Sequence, residues 1–204
     1  MHISPALAET THQLIADWTT EPSKQTPALD SFAGDIYRGL RAGDFTQAER
    51  DYTDQVLVIL SGLYGAIRPL DTIKPYRLEL MYKLKTKAFK DLYDFWQDKV
   101  AQLMPKDGPI INLTSVEYMR VITPFVEQSR IIAPRFLTAS GTPGHQTFIT
   151  VHGKVARGAF ARWLIKEKIT DLDQFTAFND LDYVYSPDIS SKQQPTFVRP
   201  PLSN

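Results

Sequence analysis

The chain contains no cysteine among its 204 residues. Disulfides, iron–sulfur clusters, zinc–thiolate sites and every mechanism that reduces peroxide with a thiolate are therefore excluded. The sequence also lacks an excess of charge of either sign, with 23 basic and 23 acidic residues. No global field therefore draws the chain to nucleic acid or to a membrane, and any site for a polyanion must be a local basic patch.

Long apolar runs are absent as well. No run approaches the length of about 20 residues that a membrane helix needs, and the start Met1–Pro5 lacks the basic segment and apolar stretch of a signal peptide. We therefore expect a cytoplasmic protein with no membrane partner. Apolar residues make up 43% and charged residues 23% of the chain, which is typical of globular proteins. With nothing marking a boundary, we predict a single domain over residues 1–204.

The strong signatures of enzymes are missing too. The chain has no HExxH pair, no nucleophile elbow, no Walker loop and no dinucleotide-binding glycine fingerprint. Of its histidines, only His145 and His152 could meet, across a predicted hairpin. We therefore expect no metal and no cofactor, and we favour a protein that works by binding over one that works by catalysis.

Helical and strand patterns are both present without strict alternation, which predicts an α+β fold, or an irregular α/β fold, with a mixed sheet. The most informative elements are a helix with a Thr46/Glu49 capping box that runs to Leu63, and an alternating strand from Arg77 to Lys87 with one basic face. The other predicted elements are helices over 7–18 and 89–103, a buried strand over 109–114, a helix capped by Thr114/Glu117, a hairpin of 131–138 with 147–151, a helix around 156–163, and a closing strand over 175–185.

Two glycines three residues apart bend the chain within the segment Leu60–Asp71. Glycine permits positive φ and close backbone approach, so the amides from Gly62 to Ala66 could point together at a phosphate, with Arg68 and Lys74 adding charge. This is how a helix–hairpin–helix element contacts a nucleic-acid backbone, with affinity but no reading of sequence. The alternative is an ordinary glycine-terminated helix followed by a tight turn.

The predicted strand that follows carries basic side chains. Arg77 and Glu79 share one face, where they could form a plain ion pair or could hold an anion between Arg77 and the neighbouring lysines. Lys83 and Lys85 strengthen the second interpretation. The alternative is a solvated face of the strand.

A second group of polar residues follows the strand predicted near Asn112. Ser115 and Glu117 begin the next helix, and ligand sites commonly gather at such strand-to-helix turns, where free amides meet polar side chains. Alternatively, Asn112 satisfies loop backbone while Ser115 and Glu117 only cap the helix.

A third group lies on the first turns of the helix that contains residues 156–163. Lys154 and Arg157 are two cations that oppose the helix dipole, and Gly158 allows close approach of a neighbour. The placement makes sense if an anion sits nearby. A basic surface helix is the alternative.

Six segments resemble the YaaA family of peroxide-stress-resistance proteins in order and spacing, and the match runs from about Ile3 to Arg199. The segments are FAGDIYRGL (32–40), LSGLYGAIRPLD (60–71), KPYRLEL (74–80), KDLYDFW (90–96), INLTSVEY (111–118) and KVARG (154–158). The resemblance implies a single compact domain of unusual topology and a cytosolic role in surviving hydrogen peroxide, with less damage from unincorporated iron. It also implies duplex DNA binding and a helix–hairpin–helix element, both proposed for members of this family.

The start of the chain departs from the family pattern. Members usually begin with a strand and a Ser-Pro-Ala-Lys-Thr motif, whereas Ser4–Ala6 is followed here by Leu7. The chain therefore looks N-terminally shortened relative to the family. If the missing strand is central in the family's sheet, we expect an unpaired sheet edge.

We therefore predict a cytosolic protein of the hydrogen peroxide stress response that binds duplex DNA without catalysis. The residues assigned to DNA or phosphate are Gly62, Gly65, Arg68, Lys74, Arg77, Lys83 and Lys85. The alternative is an enzyme that acts on a phosphorylated or nucleotide-like small molecule in a basic pocket, with Glu117 as general base. The candidate pocket residues are Asn112, Ser115, Glu117, Lys154, Arg157 and Gly158.

Overall fold

A computed structural model describes residues 4–16, 18, 25–140 and 145–201. Helices and several small sheets of mixed direction make an α+β fold, as predicted. The chain divides into two compact units, each built from separate stretches of sequence. Unit 1 takes its described residues from 1–31, 53–104 and 114–126, and unit 2 from 32–52, 105–113 and 127–204. The single-domain assignment stays a prediction.

The described helices are mostly short. They are α1 (Pro5–Ala16), α2 (Ala28–Ser31), α3 (Asp35–Leu40), α4 (Gln47–Val56), α5 (Leu92–Trp96), α6 (Val116–Met119) and α7 (Thr150–Lys166). Turns of 3₁₀ helix cover Ala42–Asp44, Ala101–Leu103, Thr123–Phe125, Gln128–Arg130, Leu172–Ala177, Asp180–Asp182 and Pro187–Ile189. Within this part of the chain, no helix combines the length and the apolar character that crossing a membrane requires.

The strands are shorter still. They are β1 (Thr26–Pro27), β2 (Ile59–Ser61), β3 (Gly65–Ile67), β4 (Thr72–Ile73), β5 (Ile110–Ile111), β6 (Ile131–Ile132), β7 (Arg135–Ala139), β8 (Gln146–Thr147), β9 (Val184–Tyr185) and β10 (Thr196–Arg199). The pairs β1–β4 and β2–β3 are antiparallel, and β5–β6 is parallel. The predicted hairpin is confirmed by the pairing of β7 with β8, although its turn at 141–144 lies outside the described residues.

Unit 2 is organised around a four-stranded sheet in the order β8-β7-β10-β9. Its two central strands, β7 and β10, are parallel, and α7 packs against the sheet through a core of aromatic side chains. The buried aromatic residues are Phe136, Phe160, Phe175, Phe178, Tyr183 and Phe197. The helix predicted around residues 156–163 is therefore confirmed as α7.

The prediction for the C-terminal part of unit 2 was wrong in one respect. The closing strand expected over 175–185 is two turns of 3₁₀ helix followed by the two-residue strand β9. The central strand β10 lies further on, in a stretch that reads as a polar tail. In β10 only Phe197 is a large apolar residue that is fully buried. The apolar pattern of its four residues was therefore too weak to predict a strand.

The helices α3 and α7 cross at two glycines. An added Cβ on Gly158 of α7 would lie 1.8 Å from the Ile36 carbonyl oxygen, and one on Gly39 of α3 would lie 2.0 Å from the Val155 carbonyl oxygen. The two helix backbones therefore approach more closely than any side chain allows. The close approach expected at Gly158 is thus made by a neighbouring helix.

The capping box in front of α4 is confirmed. The Thr46 amide donates to Glu49 Oε2 at 2.7 Å, and the Glu49 amide donates to Thr46 Oγ1 at 3.3 Å. Lys166 near the end of α7 also donates to Glu49 Oε1 at 2.7 Å. One carboxylate therefore satisfies the first turn of a helix and joins that helix to α7 within unit 2.

Loss of the Glu49 carboxylate is expected to lower the stability of the fold at neutral pH but not in acid. Lys166 and the Thr46 amide lower the pKa of Glu49 from 4.5 to about 2. A depressed folded pKa contributes stability above the unfolded value and loses it as the pH falls from about 4.5 towards 2. Glu49→Gln should therefore unfold at a lower denaturant concentration than the native chain at pH 7, and at the same concentration at pH 2. Glu167→Gln, at an exposed position with no ion pair among the described residues, serves as the control. A deficit of Glu49→Gln that is undiminished at pH 2 would contradict this assignment.

In unit 1, the segment expected to form a helix–hairpin–helix element is a β-hairpin. Helix α4 ends at Val56, and β2 pairs with β3 around a turn at residues 62–64. The apolar residues from 56 to 63 fit helical spacing, but a run this short fits a buried strand equally well, and the run of β-branched residues favours the strand. The helix–hairpin–helix prediction was therefore wrong.

The strand predicted over Arg77–Lys87 is also absent from the described structure, which has turns and irregular backbone there. The alternation itself is real, since Leu80 is buried while Met81 and Lys83 are exposed. No partner strand forms because the backbone turns back at once, with the Tyr82 amide donating to the Glu79 carbonyl at 3.1 Å. Alternating burial therefore arose here without a strand.

The helix predicted over 89–103 is interrupted. Helix α5 begins after Asp91, whose side chain accepts from the Asp94 amide, and it ends at Gln97, which has a positive φ of 47°. A 3₁₀ turn follows at Ala101–Leu103. The left-handed residue breaks the helix that the apolar periodicity predicted.

Candidate functional site

Three of the motif segments of unit 1 are joined by partly buried hydroxyl groups. Ser61 Oγ and the Tyr76 hydroxyl lie 2.5 Å apart, and the Tyr118 hydroxyl donates to Glu79 Oε2 at 2.5 Å. These contacts tie residues 76–79 to the β2–β3 hairpin on one side and to α6 on the other. We call these four side chains the tyrosine–carboxylate network.

Glu117, which was expected to cap α6, attaches the same stretch of chain at a further residue, Met81. Glu117 Oε1 accepts from the Met81 amide at 3.0 Å, and the Glu117 carbonyl accepts from the Tyr93 hydroxyl at 3.2 Å. Ser115 is the N-cap of α6 but makes no side-chain capping bond. The alternative in which Ser115 and Glu117 only cap the helix is therefore wrong, because the Glu117 carboxylate accepts a hydrogen bond from a neighbouring loop.

The network keeps its phenols protonated. Burial raises the pKa of Tyr76 to about 12, and Glu79 adds to that effect. Burial, followed by the bond to Glu79, also raises the pKa of Tyr118. Both hydroxyls therefore keep their protons at neutral pH, and the Tyr118 hydroxyl donates to Glu79 and holds that side chain in place.

The stretch from Gly62 to Gly65 at the turn between β2 and β3, which we call the glycine corner, packs against other residues of the protein. The Leu63 and Tyr64 amides donate to Ser61 Oγ at 3.1 and 2.9 Å. A Cβ on Gly62 would lie 2.4 Å from the Leu78 carbonyl oxygen, and one on Gly65, at a φ of +77°, would lie 2.9 Å from the Trp96 ring. The close approach that glycine permits is thus made here by other parts of unit 1.

Two of the cations assigned to the same corner differ sharply in exposure. Arg68 is exposed, and its amide donates to Asp71 at 2.8 Å. Lys74 is only 7% exposed, with its Nζ 5.8 Å from the centre of the Trp18 ring. Lys74 therefore cannot supply surface charge, because its side chain is buried beside Trp18.

The other basic residues assigned to DNA or phosphate lie on one stretch of unit 1, residues 77–90, that we call the basic segment. Its cations are all exposed, and none of them makes an ion pair with another described residue; they are Arg77, Lys83, Lys85, Lys87 and Lys90. The tyrosine–carboxylate network and Glu117 fasten the start of this segment. The basic segment is therefore an exposed cationic stretch whose first residues are held in place by hydrogen bonds.

The predicted pocket residues divide between the two units. Ser115 and Glu117 belong to unit 1, whereas Asn112, Lys154, Arg157 and Gly158 belong to unit 2. The Asn112 amide continues the β5–β6 pairing by donating to the Ile132 carbonyl at 2.7 Å. The small-molecule enzyme stays a prediction for which no common pocket is described.

The two cations of the pocket set differ in environment. Lys154 is exposed on α7. Arg157 is half-buried with its guanidinium 5.8 Å from the centre of the Phe148 ring, and burial lowers its pKa. Arg157 therefore loses water on folding, which a plain surface cation does not.

The sequence interpretation missed Ser61, Tyr76, Tyr93 and Tyr118, and it considered Glu79 only as a neighbour of Arg77. All five lie inside segments that had been singled out for other residues. Hydroxyl groups at half-buried positions need partners, so the density of tyrosine in these segments was the available signal.

The geometry defines a cysteine-free α+β protein that presents an exposed cationic segment on a buried tyrosine–carboxylate network. A model of the protein family described as peroxide stress protein YaaA matches residues 1–189, and the chain belongs to this family. The family description supports a role in peroxide stress.

Curated relatives carry the neutral designation of UPF0246 proteins. One from Salinispora tropica is 50% identical over 198 residues, which is 97% of this chain and 75% of the relative. One from Roseobacter denitrificans is 37% identical, covering 88% of this chain and 71% of the relative. One from Tolumonas auensis is 38% identical, covering 98% of this chain and 79% of the relative.

Proposed function

We propose that this chain serves the peroxide-stress response by binding duplex DNA through its basic segment, without catalysing a reaction. The observation that carries the proposal is the set of exposed cations between residues 77 and 90 that have no carboxylate partner among the described residues. Cations left unpaired on the surface of a chain with no net charge are suited to a polyanion.

The attachment of the segment adds to its suitability. Tyr76, Glu79 and the Met81 amide are each held by a hydrogen bond of 3.0 Å or less. A segment that is already ordered at its base loses less conformational entropy on binding than a free loop. The lysines further along retain the flexibility that contacts with a helical phosphate backbone need.

The hydroxyl groups of the site favour binding over catalysis. Ser61 is 2% exposed and accepts two backbone amides while facing Tyr76. A nucleophile must be reachable and must face a general base, and a tyrosine with a raised pKa is a poor base at neutral pH. The network is therefore suited to holding the basic segment in place.

The double substitution Lys83→Ala/Lys85→Ala is expected to weaken binding of a short duplex and to flatten its salt dependence. Each phosphate contact that is lost should reduce the slope of log affinity against log salt by about 0.9, so the double variant should lose roughly two. Fluorescence anisotropy of a labelled duplex from 50 to 200 mM salt gives both the affinity and the slope.

The matched control is Lys106→Ala/Lys192→Ala, which removes two exposed lysines from unit 2. This variant should keep the native slope. Equal slopes in all three proteins, or a native slope close to zero, would sink the proposal. Cleavage or modification of the duplex during the titration would sink the claim that no reaction is catalysed.

A further inference from the structure

The aromatic core of unit 2 ends in three polar side chains. Thr138 and Arg199 are register partners on the parallel strands β7 and β10, close to the carboxyl ends of both. Each lies two residues after a core phenylalanine, so both face the same side of the sheet as Phe136 and Phe197. The Tyr183 ring closes the group, with its centre 5.4 Å from that of Phe136.

All three side chains carry a buried polar atom that lacks a hydrogen bond of good geometry. Thr138 Oγ1, the Tyr183 hydroxyl and Arg199 Nε make no hydrogen bond of acceptable geometry with any described residue. Thr138 is 3% exposed and Tyr183 is 1% exposed. More than nine in ten buried polar groups in proteins are satisfied, so three unsatisfied atoms in one place require an explanation.

The three groups lie close together. Burial raises the pKa of Tyr183, while the charge of Arg199 and weak hydrogen bonds of poor geometry from Thr138 and Arg199 oppose that rise. The guanidinium of Arg199 lies 5.7 Å from the centre of the Tyr183 ring. The three atoms therefore belong to one cluster and not to three separate packing defects.

The chemistry of the cluster selects its ligand. A guanidinium Nε can only donate, and each hydroxyl can donate, so up to three donors meet here. The nearest carboxylate, that of Asp182, is 75% exposed and lies 3.6 Å from Arg199 Nη2, which leaves the buried side of the guanidinium unneutralised. An oxyanion accepts several hydrogen bonds at once and also balances the charge, whereas an apolar or cationic group does neither.

We propose that Thr138, Tyr183 and Arg199 bind a small oxyanion, the phosphoryl or carboxylate group of a small molecule, at the carboxyl ends of β7 and β10. Sites at this end of parallel strands are common in sheet proteins. The approach is from the side of Asp182 and the partly exposed Arg199, because the other two side chains are closed off from solvent. The site lies in unit 2, and therefore apart in the chain from the basic segment of unit 1.

The segment that carries Asp182 into Tyr183 has an unusual backbone. Leu181 and Asp182 both have positive φ, at 54° and 62°. Neither is glycine, so the conformation costs energy that the surrounding contacts must offset. This backbone presents the Tyr183 hydroxyl to the strand ends.

The test measures binding of inorganic phosphate and of acetate to the whole chain. Isothermal calorimetry and the shift in unfolding temperature are the two readouts. Sodium chloride of matched ionic strength is the reference. Phosphate or acetate should raise the unfolding temperature in a saturable way that chloride does not reproduce. The more effective of the two anions identifies the phosphoryl or the carboxylate group as the one recognised.

The variants decide whether the cluster is the site. Thr138→Val/Tyr183→Phe and Arg199→Gln should each weaken anion binding at least about tenfold, the effect of a lost charge-assisted hydrogen bond. Arg199→Lys should not restore it, because a lysine keeps the charge but not the Nε donor. Arg135→Gln, which removes an exposed arginine from β7, should bind like the native chain.

Two outcomes would overturn the proposal. One is an anion effect that survives in Thr138→Val/Tyr183→Phe but disappears in Lys83→Ala/Lys85→Ala, since it would place the anion on the basic segment. The other is no anion effect in the native chain together with increased stability of Thr138→Val/Tyr183→Phe, which marks the three atoms as unsatisfied groups and nothing more. Comparing unfolding without added anion shows whether each variant is folded, so a failure to fold is not mistaken for loss of binding.

Discussion

Gly158→Ala should lower the free energy of unfolding by about 3 kcal/mol, at the upper end of the usual cost of overpacking. The added Cβ would lie 1.8 Å from the Ile36 carbonyl oxygen and 2.7 Å from the Leu40 amide nitrogen. Both neighbours are backbone atoms of α3, so no side-chain rotation relieves the contact and the two helices must separate. Urea unfolding at 25 °C measures the loss.

The partner glycine and a surface glycine sharpen the test. Gly39→Ala should be similarly costly, since its Cβ would lie 2.0 Å from the Val155 carbonyl oxygen. The double variant should lose less than the sum, because helices already pushed apart accommodate the second methyl group more easily. Gly43→Ala, where nothing lies within 4 Å, should stay within about 0.5 kcal/mol of the native chain. A loss at Gly158 no larger than that at Gly43 would show that the crossing is not as close as described.

Gly65→Ala should lower the free energy of unfolding by about 2 to 5 kcal/mol, from two sources. A residue with a Cβ in the left-handed region costs about 1 to 2 kcal/mol, and the φ of Gly65 is +77°. Overpacking against the Trp96 ring, 2.9 Å from the added Cβ, costs about 1 to 3 kcal/mol more. The same denaturant titration measures the total.

Gly108 separates the two sources. Its φ of +76° is nearly the same, but nothing lies within 4 Å of an added Cβ. Gly108→Ala should therefore lose only the backbone share, and the difference between the two variants measures the contact with Trp96. Equal losses would mean that Trp96 moves away freely.

Gly65→Ala also discriminates between two roles of the glycine corner. If the corner packs unit 1, folded Gly65→Ala keeps its affinity for duplex DNA while its stability falls. If instead the corner amides grip phosphates, affinity falls even under conditions where the variant is fully folded. The bonds from the Leu63 and Tyr64 amides to Ser61 favour the first result.

Local chemistry in the sequence predicted local structure well. The Thr46/Glu49 pair predicted a capping box, and the spacing of Ala156, Phe160 and Trp163 predicted α7, because each signal depends on residues within one or two helical turns. The hairpin of β7 and β8 followed from turn residues between two apolar runs.

Errors arose where the deciding partner is distant in sequence. Glu117 fits a capping pattern, but its carboxylate accepts the Met81 amide, 36 residues away. The burial of Lys74 likewise involves distant partners, since its Nζ lies near the Trp18 ring and its backbone amide donates to the Tyr64 hydroxyl, and no spacing rule connects these residues. The basic strand expected after Arg77 failed for a local reason instead, since the backbone turns back at once and the Tyr82 amide donates to the Glu79 carbonyl.

The position of β10 in the sheet has a consequence for how the protein is made. The ribosome completes this strand last among the described elements, yet it lies between β7 and β9 and pairs with a strand about 60 residues earlier. Until it emerges, Phe136 and its aromatic neighbours have no cover on one side, and a nascent chain in this state exposes surface that chaperones bind. Unit 2 must therefore acquire its final structure after β10 has been translated, and not step by step as the chain emerges.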